Sequence, residues 1–283
     1  MLVSVPSPKP TPGSLRFDPA PGVAASSARL PHLHDDAAPL PARLRGSVML
    51  LGNFDGLHRG HRALLARASL VAAAQGRPLS IMACEPHPRR FFAPGLAPFR
   101  LSCGGARYAA LAEAGLSLIW TPRFDREFAA LPPRDFIERF LVAGLAVAHV
   151  VVGEDFRFGA GRAGDTGLLR LQGRRWGFGV DVIKDVVRDG DRISSSLIRR
   201  SVEAGETARA VDLIGGSWRI PIFCAGLECY HVHDEQILPP PGTYEISASC
   251  RRGGNLGRHR IGIRADRHLT GALPASASSV VFG

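Results

Sequence analysis

Residues 48–61 read Val48-Met49-Leu50-Leu51-Gly52-Asn53-Phe54-Asp55-Gly56-Leu57-His58-Arg59-Gly60-His61. The apolar run Val48–Leu51 is a buried strand by composition, and a glycine-rich turn carrying two imidazoles follows it directly. Beyond the turn, His61, Leu64, Leu65, Ala68, Val71 and Ala72 recur at i, i+3, i+4 spacing, which predicts a helix with one apolar face. Strand, glycine turn and helix N-terminus form a layout for phosphate, because unpaired backbone N–H groups and the positive end of the helix dipole both favour an anion. Two imidazoles one helical turn apart can reach the same bound group.

The rest of the chain continues this pattern. Strands are expected at Leu79–Cys84, Leu118–Thr121, His149–Val152 and Val180–Ile183. Helices are expected at Ala106–Ala114, from Pro133 through Val142, at Asp165–Trp176, from a Ser194 or Ser195 cap through Ala204, and at Glu206–Ile214. Solidly apolar strands alternating with helices predict a parallel sheet covered on both faces. Ligands in such sheets bind where the strands end. The loops after Leu51, Cys84 and Val152 should therefore converge on one crevice. From about Ser217 the texture changes to short strands split by Gly and Pro. Three units follow: residues 1–43, rich in Pro, Ala and Ser and read as a disordered extension; residues 44–216, the α/β domain; and residues 217–283, a β-rich tail.

The chain has 283 residues, 45% apolar, with a formal net charge of +10. The charge is spread along the sequence without a dense Lys/Arg block, which favours small phosphorylated ligands over a nucleic-acid groove. Five cysteines at irregular positions suggest no disulfide framework. With neither a signal peptide nor a membrane-spanning run in view, a cytoplasmic protein is expected. Composition says nothing of oligomeric state.

His58-Arg59-Gly60-His61 resembles the His-x-Gly-His turn of the nucleotidylyltransferase superfamily. Four further blocks narrow the resemblance: Glu85-Pro86-His87-Pro88, Arg100-Leu101-Ser102, Val150 to Gly164, and Ile193 to Arg199. In this order they resemble the adenylyltransferase half of the bacterial FAD synthetases, the bifunctional riboflavin kinase/FMN adenylyltransferases. The resemblance implies a Rossmann-like, doubly wound nucleotidylyltransferase fold that joins ATP, carrying Mg²⁺, to FMN, with no further metal site. It also implies a riboflavin-kinase barrel in the β-rich tail. The Gly-x-Pro-Thr-Ala-Asn block with which that barrel binds nucleotide and metal does not occur in residues 217–283, so the kinase half is expected to be truncated or degenerate.

The same resemblance assigns residues. His58, His61, Asn53, Ser195 and Arg199 are expected to be catalytic. Gly52, Phe54, Asp55, Gly60, Asp155, Ser194 and Ser196 are expected to bind ATP. Glu85, Pro86, His87, Pro88, Phe156 and Phe158 are expected on the flavin side. Cys84 stands where an aromatic residue is usual in the family. Chemistry agrees in outline: Asn53 and Asp55 are turn formers, a serine cap adds helix N–H groups, and the Arg199 guanidinium offers a planar fork for phosphate.

Two other patterns point elsewhere. Gly159 to Gly164 fits G-x-G-x-x-G, yet charged and aromatic residues separate it from the preceding strand, so a dinucleotide turn is not expected. Cys224, Cys229, His231 and His233 match no common zinc spacing. Two rivals to the main reading stay open: nucleotidylyl transfer to another phosphate acceptor, and a flavin- or nucleotide-binding paralogue with little or no turnover.

Overall fold

The computed structural model describes residues 31–36 and 38–283. Its first sheet has six strands: β1 (His32–His34), β2 (Val48–Leu50), β3 (Leu79–Met82), β4 (Leu118–Trp120), β5 (His149–Gly153) and β6 (Gly179–Ile183). All neighbours pair in parallel, in the order β1-β4-β3-β2-β5-β6. The chain builds outward from β2 on one side, then crosses to place β5 on the other. The topological switch point therefore lies between β2 and β5, where a doubly wound sheet opens a crevice.

Strand alternation divides the core between the two faces. Val48 and Leu50 pack with Ile81, Ile119 and Val151 under α1 (Arg59–Gln75) and α3 (Gly104–Glu113). Met49 and Leu51 face Trp120, Val150 and Val152 on the other side. The helix predicted from Pro133 starts as α5 (Pro133–Phe136) with Pro132 as its cap, then widens into a π-helix over Ile137–Gly144. Asp165 caps α6 (Thr166–Trp176) through its carboxylate. Ser194 caps α7 (Ser195–Glu203), and α8 (Thr207–Ile214) follows. Two short helices, α2 (Pro88–Phe92) and α4 (Arg126–Ala129), line the crevice side, and β7 (Val187–Arg188) with β8 (Asp191–Arg192) forms a small hairpin at its mouth.

One expectation is corrected. The sequence predicts order from about Leu44, but β1 pairs with β4 from His32 onward, and Trp120 Nε1 donates to the Asp36 carboxylate. Three residues carry too little periodicity to read as a strand; the exposed edge of β4 supplies the reason for one. Residues 1–30 lie outside the described residues.

The tail folds as a second sheet of β9 (Trp218–Pro221), β10 (Phe223–Gly226), β11 (Cys229–His231), β12 (Gly242–Cys250), β13 (Asn255–Ile263), β14 (Leu269–Thr270) and β15 (Ala277–Phe282). Its order is β10-β11-β14-β13-β12-β15-β9. The two edges, β9 and β10, are joined by Ile222 alone, so the sheet rolls into a near-closed barrel. Its core is continuous with Leu197, Ile198 and Val202 of α7 and with Leu213 and Ile214 of α8.

Candidate active site

The loops after β2, β3, β4 and β5, with the N-termini of α1 and α7, surround a crevice of about 1020 Å³. Gly52, Asn53, Phe54, Asp55, His58, Gly60 and His61 line one wall. The turn is held tightly. Gly56 has φ of +69°, and a Cβ there would stand 3.1 Å from that of Leu101. Phe54 is buried, and its ring lies 4.8 Å from that of His61.

The two imidazoles stack, with centroids 3.7 Å apart and planes 20° apart. His58 is the N-cap of α1, where its Nδ1 accepts from His61 N at 3.3 Å. An accepting Nδ1 places the His58 proton on Nε2. The Nδ1 of His61 lies 2.7 Å from Gly56 O. A carbonyl only accepts, so this nitrogen carries the proton, and Nε2 of the neutral ring has a lone pair. Burial, then the neighbouring His61, lowers the His58 pKa to about 2. Burial likewise lowers that of His61 to about 4. Without a bound anion both rings are neutral at pH 7.

Both oxygens of the Asp55 carboxylate have protein partners. Its Oδ1 accepts from Leu101 N at 3.0 Å and Ser102 N at 3.3 Å, and its Oδ2 accepts from Arg199 Nη2 at 2.7 Å. Arg199 also donates from Nε to Phe99 O at 2.9 Å, and its guanidinium stands 5.4 Å from the Phe99 ring centre. Both residues touch the crevice wall. Asp55 Oδ2 and Arg199 Nη2 pair with each other, in side chains 1% and 8% exposed. The pair forms a buried clamp in the wall where phosphate contacts are expected of both residues.

The serines divide their work. Ser194 Oγ accepts from Leu197 N, completing the cap, and Ser195 Oγ donates to Asp55 O at 3.0 Å. Ser194, Ser195 and Ser196 all line the crevice, where the first N–H groups of α7 lack intrahelical partners.

Glu85 and Pro86 do not line it. The Glu85 carboxylate bridges two buried arginines, Arg100 at 2.8 Å and Arg107, which also donates to Asn53 O at 2.9 Å. Glu85, expected on the flavin side, is a salt-bridge node behind the wall. His87 and Pro88 do face the crevice. His87 caps α2, its Nδ1 accepting from Arg89 N, and burial lowers its pKa to about 3. Cys84 also lines the site; burial pushes its thiol up to about 12, so it acts as an apolar side chain. Phe156 and Phe158 stack at 5.6 Å and reach both crevice and core.

Several lining residues had no sequence signal. Phe92, Phe124 and Phe128 add an aromatic wall, and Phe92 is 70% exposed. Arg192 binds Asp155 at 2.5 Å and Asp185 at 2.6 Å across the mouth. Asp155 therefore faces the crevice already paired. Two glycines of the G-x-G-x-x-G pattern serve packing: a Cβ on Gly159 or Gly164 would come within 2.8 Å of Pro133. Among the described residues no group of three or more His, Cys, Asp or Glu side chains could hold a metal ion, and no helix is long and apolar enough to cross a membrane.

A doubly wound α/β domain with stacked histidines at its switch point is a nucleotide-binding class of site. Residues 40–197 match the FAD synthetase family, and the chain belongs to that family. It is 41% identical over 175 residues to the bifunctional riboflavin kinase/FMN adenylyltransferase of Escherichia coli K12, covering 62% of this chain and 56% of that protein. With the enzyme of the same name from Pseudomonas fluorescens it shares 41% over 209 residues, covering 74% and 64%. The matches thus span less than two thirds of these relatives. The fold also matches a crystal structure described as a macrolide-efflux protein from Streptococcus pneumoniae, with a TM-score of 0.70 at 19% identity over 89% of this chain and 87% of that one. That likeness speaks to fold alone.

Proposed function

We propose that the chain is an FMN adenylyltransferase: it transfers AMP from ATP, bound with Mg²⁺, to FMN, giving FAD and pyrophosphate. The observation that carries this reading is the stacked His58–His61 pair at the N-terminus of α1, inside a crevice of about 1020 Å³ in a chain of the FAD synthetase family.

In the reaction an FMN phosphate oxygen bonds to the α-phosphorus of ATP as the bond to the β-phosphate oxygen breaks. A phosphate monoester is largely dianionic at pH 7, so the nucleophile needs no general base. The site must align two anions and stabilise charge on the phosphorus oxygens and the leaving group. His58 donates from Nε2–H in its neutral form. His61 becomes a second donor when the anion draws a proton onto its Nε2. The first turns of α1 and α7 present backbone N–H groups, with Ser196 beside them. The side chains of His87, Pro88, Phe92 and Phe124 offer an apolar wall for a flavin ring.

Riboflavin kinase activity is lost in this reading. The family's nucleotide-binding block is missing from residues 217–283. The hollow of about 690 Å³ on the β-rich domain is lined by residues such as Phe223, Cys224, Arg251 and Arg252, with no carboxylate among them to accept a proton. Incubation with ATP, Mg²⁺ and either FMN or riboflavin, followed by chromatography of the flavins, tests both halves. FAD forms from FMN, and riboflavin is unchanged. Persistent FMN at high protein concentration, despite binding, supports the non-catalytic paralogue instead.

A further inference from the structure

We propose that the β-rich domain anchors the catalytic turn through residues 99–102, with Trp218 and Gln236 as positioning residues for adenylyl transfer. This rests on the reading of the crevice given above and assigns the second domain a part in it.

The backbone polar groups of this short strap are shared between the two domains. Phe99 N and Arg100 N donate to Glu235 O at 3.1 and 2.8 Å, and Ile237 N donates to Arg100 O at 2.9 Å. Trp218 Nε1 donates to Leu101 O at 2.9 Å, joined by Gln236 Nε2 at 3.4 Å. These partners all belong to the β-rich domain. On the other side, Phe99 O accepts from Arg199, while Leu101 N and Ser102 N donate to Asp55. The Leu101 side chain, 1% exposed, sits in the core of the β-rich domain and against Gly56. Arg90 and Glu235 add an ion pair at 2.6 Å.

The strap is therefore fixed by one domain and grips the turn of the other. Asp55 stands three residues before His58, and its carbonyl receives Ser195 Oγ. A shift of the strap moves both imidazoles and the start of α7 together. Reactions that depend on in-line alignment are sensitive to such shifts: a displacement of about 1 Å can cost roughly 10²-fold in rate. Neither Trp218 nor Gln236 lines the crevice, so their effect on chemistry passes through Leu101 and Asp55.

The test uses the full chain. Trp218→Phe removes the indole donor and keeps an aromatic ring; Gln236→Met removes the amide. Val280→Ala opens the same barrel core and removes no side chain that hydrogen-bonds to the strap. Trp218→Phe is expected to lower kcat about tenfold, and the double variant about a hundredfold, with KM for ATP and FMN within about threefold. Amide exchange should quicken in residues 53–61 in both. Val280→Ala lowers the unfolding midpoint but leaves kcat and that exchange near wild type. The proposal is overturned if Trp218→Phe leaves kcat and exchange unchanged, or if Val280→Ala lowers kcat as far. A wild-type chain that forms no FAD would sink the reading of the site, while the exchange comparison still decides the anchoring.

Discussion

Arg199 Nη2 lies 2.7 Å from Asp55 Oδ2, across 144 residues of sequence and almost out of contact with water. The pair ties the histidine turn to α7 and, through Phe99 and Leu101, to the strap between the domains. Removing one member leaves the other charged and unpaired in the interior, which costs about 3–5 kcal/mol. Arg199→Ala should accordingly lower the denaturant midpoint strongly. Asp55→Leu/Arg199→Met should recover part of that loss, since two strap N–H groups still lack their acceptor. An Arg199→Ala variant of wild-type stability that had lost only ATP affinity would make the guanidinium a phosphate ligand and not a structural clamp.

His61→Ala should keep the fold and lose turnover. The ring is held by Gly56 and His58 and touches the core only through Phe54, and loss of one donor to developing charge typically costs ~10²–10³ in rate. Circular dichroism with steady-state kinetics checks this. Near-normal kcat would remove His61 from the mechanism.

Stability should fall on mild acidification. The pKa values of His58, His61 and His87 are lowered to about 2, 4 and 3 in the folded chain, against 6.5 for the free side chain. Below pH 6.5 the unfolded chain takes up protons that the folded chain refuses. The contribution of these burials is whole above pH 6.5 and is lost progressively as pH drops through the folded values of about 4, 3 and 2. Denaturant midpoints at pH 7.5 and 5.0 measure it, and His58→Gln should flatten the slope. A midpoint unmoved between those values would contradict the burial of neutral rings.

The framework of the fold was legible because it rests on local signals. The apolar run at Val48, the Ser194 cap, and Pro133 at a helix start each mark an element within a few residues. The His-x-Gly-His turn was legible for the same reason. What escaped depends on distant partners. Nothing near Glu85 announces that Arg100 and Arg107 enclose it, and nothing near Asp55 names Arg199. The Phe92–Phe124 wall assembles only when α2 meets the loop after β4. The strand β1 owes its existence to the open edge of β4 and not to its own three residues.

Riboflavin should remain unphosphorylated in the presence of ATP and Mg²⁺, because the β-rich domain offers its hollow no carboxylate base. Chromatography of a preparation free of host kinase reads this directly. FMN that accumulates, and ceases to do so in a variant carrying bulky substitutions at Cys224 and Cys250, would place a kinase site in that hollow.

Adenylyl transfer itself is tested most directly by following the α-phosphate. With FMN, Mg²⁺ and ATP labelled at the α-phosphorus, label should pass into FAD in a one-to-one ratio with pyrophosphate released, and label at the γ-phosphorus should appear only in pyrophosphate. Flavin that stays unlabelled under both conditions, while FMN and ATP bind, would contradict the account.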